Sequence, residues 1–358
     1  MRVIAFGTDR TILDPDSPAR ERQRRYAAAL GELHAIIFSL GASGEPQHDG
    51  PLHIYPTNSK SKLRYGWDAL RIARTLPAPE AITAQDPFET GLAALFAARR
   101  RKVPLHVQVH TDFLAPGYAA HSRLNRIRRL LAGFVLRRAA GIRAVSPRIK
   151  ERIVQAYRPK APISILPIFV DVERFHMLPH TKHPHFDPAL LFIGRLEPEK
   201  RADIAIRSLA RLQSLGIRHA GLTIAGEGSL RARLEAFTRE LGVAERVAFL
   251  GRTDPAPLLA KADIVLVPSA YEGYGLVIVE ALAAGVPVLA TDVGIAAEAG
   301  ALIAPFPSDD FAGALAHLIA KGDLPKGRLL AYPYASEEEY VAAWAADIAA
   351  AAGSRPRA

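Results

Sequence analysis

Cysteine is absent from this sequence of 358 residues. Its absence excludes the disulfide-stabilised secreted scaffolds, cysteine-ligated zinc sites and a thiol nucleophile. No apolar run reaches the ~18 residues that a membrane-spanning helix needs. The opening MRVIAFGTDR has an apolar stretch too short for the core of a signal peptide. We therefore expect a globular protein that is either soluble in the cytoplasm or bound at a membrane surface.

Acidic residues are scarce in the first half of the chain. Residues 1–165 contain 27 Lys and Arg against 13 Asp and Glu, a net charge of +14. Residues 166–358 contain 19 against 23, a net charge of −4. This asymmetry indicates an anionic partner for the first half, whether nucleic acid, anionic lipid or a phosphorylated substrate.

Short apolar runs alternate with amphipathic stretches of helical length in the second half. The runs predict buried strands at Ala189–Ile193, Leu222–Ala225, Val247–Leu250, Ile264–Val267 and Val286–Ala290. The stretches between them predict helices at about 201–215, 228–241, 255–261 and 275–284. This alternation is typical of βαβ units that form a parallel sheet.

The first half shows the same alternation of apolar runs and amphipathic stretches. Its apolar runs predict strands at Val3–Phe6, His34–Phe38, Ile82–Ala84, Leu105–Val109 and Ile142–Val145. Ser17 followed by Pro18 predicts the start of a helix that ends near Leu30. Ser336 and Glu339 have the spacing of a capping box, which predicts a final helix to about residue 351.

A proline-rich segment separates the two halves, with six prolines between residues 159 and 188. Proline cannot continue a helix or serve a central strand, so we predict a linker at 168–188. The first domain would then comprise residues 1–167 and the second residues 189–330, followed by a C-terminal helix and tail at 331–358. Both domains are predicted to be doubly wound α/β structures.

Glycines and charged residues follow the predicted strands of the second domain. They occur in Gly194–Lys200, Gly226–Gly228, Gly251-Arg252 and Pro268–Gly275. Open parallel sheets bind ligands beyond the carboxyl ends of their strands, and glycines followed by helix amino termini favour phosphate. The alternative is that these glycines only end strands and the basic residues are solvated.

Glu280 lies within a predicted helix that is apolar almost all round, GLVIVEALAAG. Such a helix is normally buried, and no residue at helical spacing from Glu280 is a cation. A buried carboxylate without a partner costs several kcal/mol, so Glu280 needs a hydrogen-bonding group, for which a ribose diol is suitable. A surface position or a tertiary salt bridge is the alternative.

Glu272 and Glu280 enclose seven residues, and EGYGLVIVE resembles the E-x7-E motif of glycosyltransferase family 4, the retaining sugar-nucleotide transferases of the GT-B fold. Supporting segments are LLFIGRLEPEKRADIAIRSL, LTIAGEGSLRARLE, VAFLGRT and ADIVLVPSAYEGYG. The resemblance implies two Rossmann-like domains that face each other across a cleft, with a C-terminal helix that returns to the first domain. The first domain would bind the acceptor and the second the nucleotide sugar.

The resemblance also implies roles for individual residues. Glu280 would bind the nucleotide ribose, while Arg195 and Lys200 would clamp the diphosphate and stabilise the departing charge. Glu272 would contact the donor sugar, and His110 would reach the same sugar from the first domain. The other implied donor-binding positions are Gly7, Gly226, Glu227, Gly251, Gly273, Tyr274, Gly275 and Leu276.

Residues 121–138 form a basic amphipathic segment, and residues 99–102 form a second basic cluster. One helical face contains Leu124, Ile127, Leu131, Phe134 and Val135, and the opposite side contains Arg123, Arg126, Arg129 and Arg137. Such a helix can lie on anionic lipid, which would make the protein peripheral on the inner face of the membrane. The alternative is an ordinary helix with a solvated basic face. Nucleic acid is disfavoured because no aromatic residues interleave with the arginines.

The sequence thus predicts an enzyme that moves a sugar of the hexose type from a nucleotide diphosphate donor to an acceptor, with retention at the anomeric carbon. The acceptor would be a glycan or a lipid-linked precursor of a cell-envelope polysaccharide. No cofactor or metal is predicted, because Asp14-Pro15-Asp16 fits a turn better than a metal-binding D-x-D. The alternatives are a GT-B sugar-nucleotide epimerase and a catalytically silent sugar-binding subunit.

Overall fold

The structure, a computed structural model, describes residues 1–305, 308–322 and 324–353. The chain divides into two compact units. The first unit contains Met1–Pro167 together with the C-terminal segment from Tyr334, and the second contains Ile168–Pro333.

The first unit is built on an eight-stranded sheet with helices between its strands. Its strands are β1 (Arg2–Gly7), β2 (Glu32–Ile37), β3 (Gln47–Asp49), β4 (Leu52–Pro56), β5 (Ala81–Ala84), β6 (Leu105–Val109), β7 (Gly141–Ala144) and β8 (Ile163–Ile165). Its helices are α1 (Pro18–Leu30), α2 (Tyr65–Thr75), α3 (Glu89–Arg101), α4 (Pro116–His121), α5 (Arg123–Leu136), α6 (Pro147–Tyr157) and, after the second unit, α14 (Glu337–Ala352). The strand order is β3-β4-β2-β1-β5-β6-β7-β8, and every pair is parallel except β3 with β4.

The second unit has a six-stranded parallel sheet. Its strands are β9 (Ala189–Ile193), β10 (Gly221–Ala225), β11 (Val247–Gly251), β12 (Ile264–Val267), β13 (Val288–Ala290) and β14 (Leu302–Ile303), in the order β11-β10-β9-β12-β13-β14. Its helices are α7 (Val172–His176), α8 (Ala202–Ser214), α9 (Arg231–Glu240), α10 (Ala256–Leu259), α11 (Leu276–Ala283), α12 (Ala296–Ala299) and α13 (Ser308–Ala320). The prediction of two doubly wound α/β domains is confirmed.

The core of the second unit forms where α8 and α13 cover the sheet. Strand residues such as Leu190 and Leu222 pack with Leu209 of α8 and with Phe311 and Leu315 of α13, and all are buried. Each such side chain contributes roughly 1.5–3 kcal/mol on burial. Truncating Leu209 to alanine would therefore cost about 2–5 kcal/mol.

The predicted helix starts agree with the structure where a side chain caps the helix. The Ser17 hydroxyl accepts a hydrogen bond from the Arg20 N–H, and Pro18 is the first residue of α1. The Ser336 hydroxyl accepts from the Glu339 N–H at the start of α14. Boundaries predicted from apolar runs are less accurate. The strand predicted at Val286–Ala290 begins at Val288, since Pro287 has no N–H to donate.

The segment predicted as a linker, 168–188, lies inside the second unit. Asp171 caps the short helix α7, which packs on α11. The Val170 N–H donates to the Tyr332 hydroxyl, and the Thr181 N–H donates to the Ala260 carbonyl at 2.8 Å. Prolines exclude long regular elements, but they do not prevent a loop from packing against its own unit.

A network of buried polar groups attaches α14 to the first sheet. Arg143 of β7 is 1% exposed, and its guanidinium donates to the carbonyls of Leu166 and Pro167, to Gln108 Oε1 and to the Tyr340 hydroxyl. A buried arginine is tolerated when its donors are paired in this way. The C-terminal helix therefore belongs to the first unit, as predicted.

The helical segment predicted at 121–138 is shorter in the structure. Ser122 separates α4 from α5, because its hydroxyl caps α5 by accepting from the Asn125 N–H at 3.1 Å. Helix α5 then ends at Leu136.

Candidate active site

The loops that follow β9, β10, β11 and β12 meet at the carboxyl edge of the second sheet. The Gly194 N–H donates to the Ala225 carbonyl at 3.0 Å, and the Gly226 N–H donates to the Gly251 carbonyl at 2.7 Å. The Ala270 N–H donates to the Glu199 carbonyl at 2.8 Å. These strands are neighbours in the sheet, so the glycine-rich loops identified in the sequence form one continuous surface.

Gly226 is required where two of these loops approach each other. Its φ is +150°, and a Cβ atom there would lie 1.9 Å from the Gly194 carbonyl oxygen. Any side chain at Gly226 would therefore push the two loops apart. Glu227 follows, and its carboxylate pairs with Arg231 at 2.7 Å beside Gly251.

Lys200 and Glu272 connect the loop after β9 with the loop after β12. The Lys200 Nζ lies 2.6 and 2.7 Å from the two carboxylate oxygens of Glu272, and the Ser269 hydroxyl donates to one of them at 2.8 Å. The side chains of Lys200 and Glu272 are only 20% and 10% exposed. This pair fixes a cation and a carboxylate side by side at the edge of the sheet.

Arg195 adds a second cation that is open to solvent. Its guanidinium lies 2.8 Å from Glu199, yet 71% of its side chain is exposed. A salt bridge this exposed contributes little stability. The Arg195 guanidinium is therefore free to turn towards an anion in solution.

Helix α11 begins at the same edge, after Gly273 and Tyr274. Gly275 precedes it with φ +97° and, as the residue at the N-cap position, offers no side chain to cap the first turn. The N–H groups from Leu276 onward give this helix end a partial positive charge that suits phosphate. The Ile295 N–H donates to the Tyr274 carbonyl at 3.1 Å, which holds the loop in place.

Glu280 lies in the next turn of α11 and is partly buried. Burial raises its pKa to about 7. The charge of the nearby Arg174 opposes this rise in pKa, and the charge of Asp254 adds to it. Within the described part of the chain, its carboxylate has no hydrogen-bond or salt-bridge partner. The tertiary salt bridge considered as an alternative is thus not formed, because Arg174 pairs with Asp254 instead, at 2.5 Å.

Two residues of this site, Arg174 and Asp254, are not among the predicted residues, and Ser269 is predicted only as part of the loop Pro268–Gly275. Arg174 lies in the segment interpreted as a linker, and Asp254 follows β11 in a loop without glycine. Ser269 contacts Glu272 from three positions before it. The only local signal for Arg174 is Asp171, a typical helix-capping residue three positions earlier.

The first unit contains the other two predicted residues, Gly7 and His110. Gly7 ends β1, and the next N–H, that of Thr8, donates to Gln85 Oε1 at 2.9 Å. His110 directly follows β6, and burial, with the charge of Arg143, lowers its pKa to about 3. Its Nε2 lies 3.3 Å from Gln108 Oε1, an acceptor, so this nitrogen carries the proton and Nδ1 keeps a lone pair.

Helix α5 exposes an apolar face. Leu124, Ile127 and Leu130 are about half exposed or more, and Phe134 is also exposed, whereas Val135 is buried. The sequence predicts one apolar face that contains all four of Leu124, Ile127, Phe134 and Val135. In the structure Val135 packs inwards, whereas the other three side chains are exposed. On the neighbouring helix α3, Phe96 is exposed as well.

Two models of known protein families together match most of the chain. Residues 187–321 match the model of the glycosyl transferases group 1, and residues 22–174 match the model of glycosyltransferase family 4. The two matches lie on the second and the first sheet, with the edge loops inside the former. The chain belongs to glycosyltransferase family 4.

Individual relatives of this family share parts of the chain. Glycogen synthase from Mycobacterium tuberculosis is 34% identical over 229 residues, which cover 62% of this chain and 54% of that protein. The chain thus matches about half the length of this relative.

Solved structures share the GT-B fold. Sucrose-phosphate synthase from Thermosynechococcus elongatus superposes with a TM-score of 0.71 at 17% identity, covering 100% of this chain and 95% of that one. HepE from Anabaena, solved in complex with UDP and glucose, gives a TM-score of 0.66 at 21% identity, covering 99% and 96%. No helix among the described residues has the length and apolar character needed to cross a membrane.

Proposed function

We propose that this member of glycosyltransferase family 4 transfers a hexose from a nucleoside diphosphate sugar to an acceptor, with retention at the anomeric carbon. The observation that carries the proposal is the carboxyl edge of the second sheet. There, two cations and the amino end of α11, which has glycine at its N-cap position, adjoin the two glutamates of the E-x7-E motif.

The leaving diphosphate is the part of the donor that needs positive charge. Arg195 is exposed and able to turn towards it, and Lys200 is held in position by Glu272. The first-turn amides of α11 add a partial positive charge. Preorganised cations and amides of this kind stabilise charge that develops in the transition state, which is the task a metal ion performs in other transferases.

The ribose of the donor suits Glu280. Its carboxylate is partly buried and has no partner among the residues described, so two ribose hydroxyls would supply the hydrogen bonds it lacks. The complex of HepE with UDP and glucose supports a nucleoside diphosphate sugar as the donor class. Gly226, Glu227 and Gly251 would border the nucleotide, and Glu272 with the Gly273–Leu276 backbone would contact the sugar.

His110 is proposed to hydrogen-bond the donor sugar from the first unit, with Gly7 as a further donor contact. With a pKa of about 3, the His110 imidazole is neutral at physiological pH. Its unprotonated Nδ1 would accept a hydrogen bond from a sugar hydroxyl rather than act as a cation. No protein nucleophile is proposed, in keeping with attack by the acceptor on the face that the diphosphate leaves.

The proposed activity is tested with a panel of sugar nucleotides. The purified protein is incubated with each one, with and without a membrane lipid extract, and the released nucleoside diphosphate is measured. We expect release from one donor to rise when the extract supplies an acceptor. Conversion of the donor into an epimer without acceptor would instead identify an isomerase, and nucleotide binding without any turnover would identify a silent subunit.

We further propose that transfer needs no metal ion, because Arg195 and Lys200 supply the charge at the diphosphate. Turnover should be retained after EDTA treatment and buffer exchange. Complete loss that magnesium or manganese restores would contradict this assignment of the phosphate clamp. The Asp14-Pro15-Asp16 sequence forms a turn in which the Asp16 N–H donates to the Asp14 carboxylate at 3.1 Å.

The acceptor is proposed to be lipid-linked or at a membrane surface, as expected for a cell-envelope polysaccharide precursor. Helix α5 exposes Leu124, Ile127 and Phe134 beside Arg123 and Arg126, both exposed. An exposed apolar face flanked by cations is what a helix lying on anionic lipid presents. The protein would then lie peripherally on the inner face of the membrane.

Vesicle co-sedimentation tests this attachment. We expect binding to anionic vesicles at 0.1 M salt, weak binding to neutral vesicles, and release at 1 M salt, since the Debye length falls from ~10 Å to ~3 Å. Replacing Leu124 and Ile127 with serine should also weaken binding, whereas replacing the exposed Leu215 of the second unit should not. A protein that stays in the supernatant with anionic vesicles at low salt would refute the attachment.

A further inference from the structure

Three histidines and a glutamate meet on one face of the first sheet, in a histidine cluster formed by Glu32, His34, His48 and His53. His34 of β2 pairs directly with His53 of β4, and His53 pairs directly with His48 of β3. The ring centroids are 4.7 Å apart in the first pair and 5.0 Å apart in the second. Glu32 precedes His34 by two residues, so it lies on the same face of β2.

Three ligand atoms of this cluster converge. His34 Nε2 lies 2.8 Å from Glu32 Oε1, and His53 Nε2 lies 3.9 Å from the same oxygen. The three atoms all fall within 4.8 Å of one another. Four ligands around Zn²⁺ at 2.0–2.1 Å are roughly 3.3 Å apart, so small side-chain shifts would bring these atoms to bonding distance.

The other nitrogen of each histidine already has a partner. His34 Nδ1 lies 3.2 Å from the Tyr55 hydroxyl, and His53 Nδ1 lies 2.8 Å from His48 Nδ1. Arg2 Nε donates to the second oxygen of Glu32 at 2.7 Å. Outer partners of this kind orient metal-ligating histidines and accept a hydrogen bond from the outer N–H when the inner nitrogen binds the metal.

From this geometry we propose that Glu32, His34 and His53 form a Zn²⁺ site, with water as the fourth ligand. In the metal-free state the His34 Nε2–H donates to Glu32. When the metal binds, the His34 proton resides on Nδ1 and is donated to Tyr55. Likewise, the His53 Nδ1–H is donated to His48, and both Nε2 lone pairs face the metal. Two imidazoles and a carboxylate are ligands that Zn²⁺ accepts readily.

The position of the site indicates its role. Glu32 is the first residue of β2, and His53 is the second residue of β4. The cluster thus lies near the amino ends of these strands, whereas ligands of open parallel sheets bind beyond the carboxyl ends. The bound ion would join β2 to the β3–β4 hairpin at the edge of the sheet, and it would stabilise the fold without taking part in the proposed transfer.

Zinc binding to the tag-free, metal-stripped protein tests the proposal. A second histidine-rich segment, with His180, His183 and His185, is a source of adventitious binding. The reference protein therefore carries glutamine at these three positions. We expect calorimetry to give one Zn²⁺ per chain for this reference and thermal melting to show a Tm several degrees higher with zinc.

The His53→Gln variant in the same background should weaken zinc binding at least tenfold and abolish the rise in Tm. Replacing the exposed His317 with glutamine is the matched control and should leave both unchanged. Should His53→Gln not fold, Co²⁺ bound to the reference protein gives a second readout. Four-coordinate Co²⁺ absorbs visible light far more strongly than six-coordinate Co²⁺, and we expect the strong absorption of the four-coordinate ion.

A reference protein that binds no zinc, or a His53→Gln variant that binds it as tightly as the reference, would overturn the proposal. A six-coordinate Co²⁺ spectrum would do the same. Each readout is independent of turnover, so the failure of this site and the failure of the proposed transferase activity are distinguishable.

Discussion

The carboxyl edges of the two sheets use polar residues in opposite ways. At the second sheet, Arg195 and Lys200 pair with nearby carboxylates, and Arg195 reaches solvent. At the first sheet, Arg143 is fully buried and donates to four neutral oxygens. The first arrangement keeps charge available to a ligand, whereas the second uses a charge to hold backbone segments and α14 together.

The two edges also differ in how well their polar groups are satisfied. Gln108 Oε1 accepts from Arg143 at 2.9 Å and from the indole of Trp344 at 3.3 Å. Glu280 has no such donor within the described residues, and its raised pKa reflects the cost of keeping it ionised there. The first edge should thus govern stability, and the second should govern ligand binding at some cost to stability.

The largest effect that we expect is a loss of stability, caused by a substitution at the carboxyl edge of the first sheet. Arg143→Met removes the donor from the carbonyls of Leu166 and Pro167, while the Tyr340 hydroxyl still accepts from Tyr26. Unsatisfied buried acceptors cost about 1–3 kcal/mol each. The free energy of unfolding should fall by about 3 kcal/mol or more in urea titrations.

The matched control for this prediction is Arg99→Met, an exposed arginine of α3, which should change stability by less than about 0.5 kcal/mol. Nucleotide affinity, measured by calorimetry at a temperature where Arg143→Met is folded, should match that of the unmodified protein. A variant as stable as the control would show that the network contributes nothing.

The second prediction concerns turnover. Lys200→Ala and Arg195→Ala should each lower turnover by ~10²-fold or more, as the loss of one preorganised donor does in other enzymes. Steady-state release of the nucleoside diphosphate measures this, with the exposed Lys321→Ala as the control. Near-normal turnover in both variants, with correct folding, would remove Lys200 and Arg195 from the proposed clamp.

The third prediction separates binding from stability at one residue. Glu280→Gln keeps the shape of the side chain but removes its charge, so nucleotide affinity should fall by about 1–3 kcal/mol. The same change should leave Tm at pH 8 unchanged or raise it, since a partly buried charge is removed. A variant that melts earlier while it binds nucleotide normally would make Glu280 a structural residue.

The smallest effect follows from the pKa of Glu280, which is about 7 in the folded protein and ~4.3 in an unfolded chain. Between these values the folded state binds more protons, so Glu280 makes stability fall as pH rises from about 4.5 to 7, by of order 2 kcal/mol. Nucleotide affinity should change the other way, weakening below pH 7, because the ribose is bound by the ionised carboxylate.

The comparison of Glu280→Gln with the unmodified protein isolates these two trends from the titration of other groups, including the phosphates of the ligand. We expect the variant to show a flatter Tm profile between pH 5 and 8 and a flatter affinity profile. Identical profiles for the two proteins would contradict the assignment of the pKa near 7 to Glu280.

The features predicted correctly from the sequence are those encoded by neighbouring residues. The first five strands of the second sheet (β9 to β13), the caps at Ser17 and Ser336 and the edge loops each depend on a short stretch of chain. Glu280 stands out in the sequence because its neighbours in the helix are apolar. Its role and those of the other site residues stay predictions.

The features that were missed depend on residues far apart in the chain. Short strands such as β3, β8 and β14 have too few residues to show a period, and they exist because a neighbouring strand offers hydrogen bonds. His34 and His53 are adjacent only through the register of β2 and β4, which a reading of neighbouring residues does not reveal. Arg174 is not predicted as a site residue, because the density of prolines around it predicts a linker.

The placement of α14 affects how the protein forms during synthesis. The ribosome makes β1–β8 first, then the whole second unit, and only afterwards the helix that supplies Tyr340 and Trp344 to the first sheet. Until then Arg143 lacks one of its hydrogen-bond acceptors, and the sheet face that α14 covers is exposed. The second unit is one uninterrupted stretch of chain, so it is able to fold completely before the first unit does. The first unit is complete only when its last helix, α14, has been synthesised.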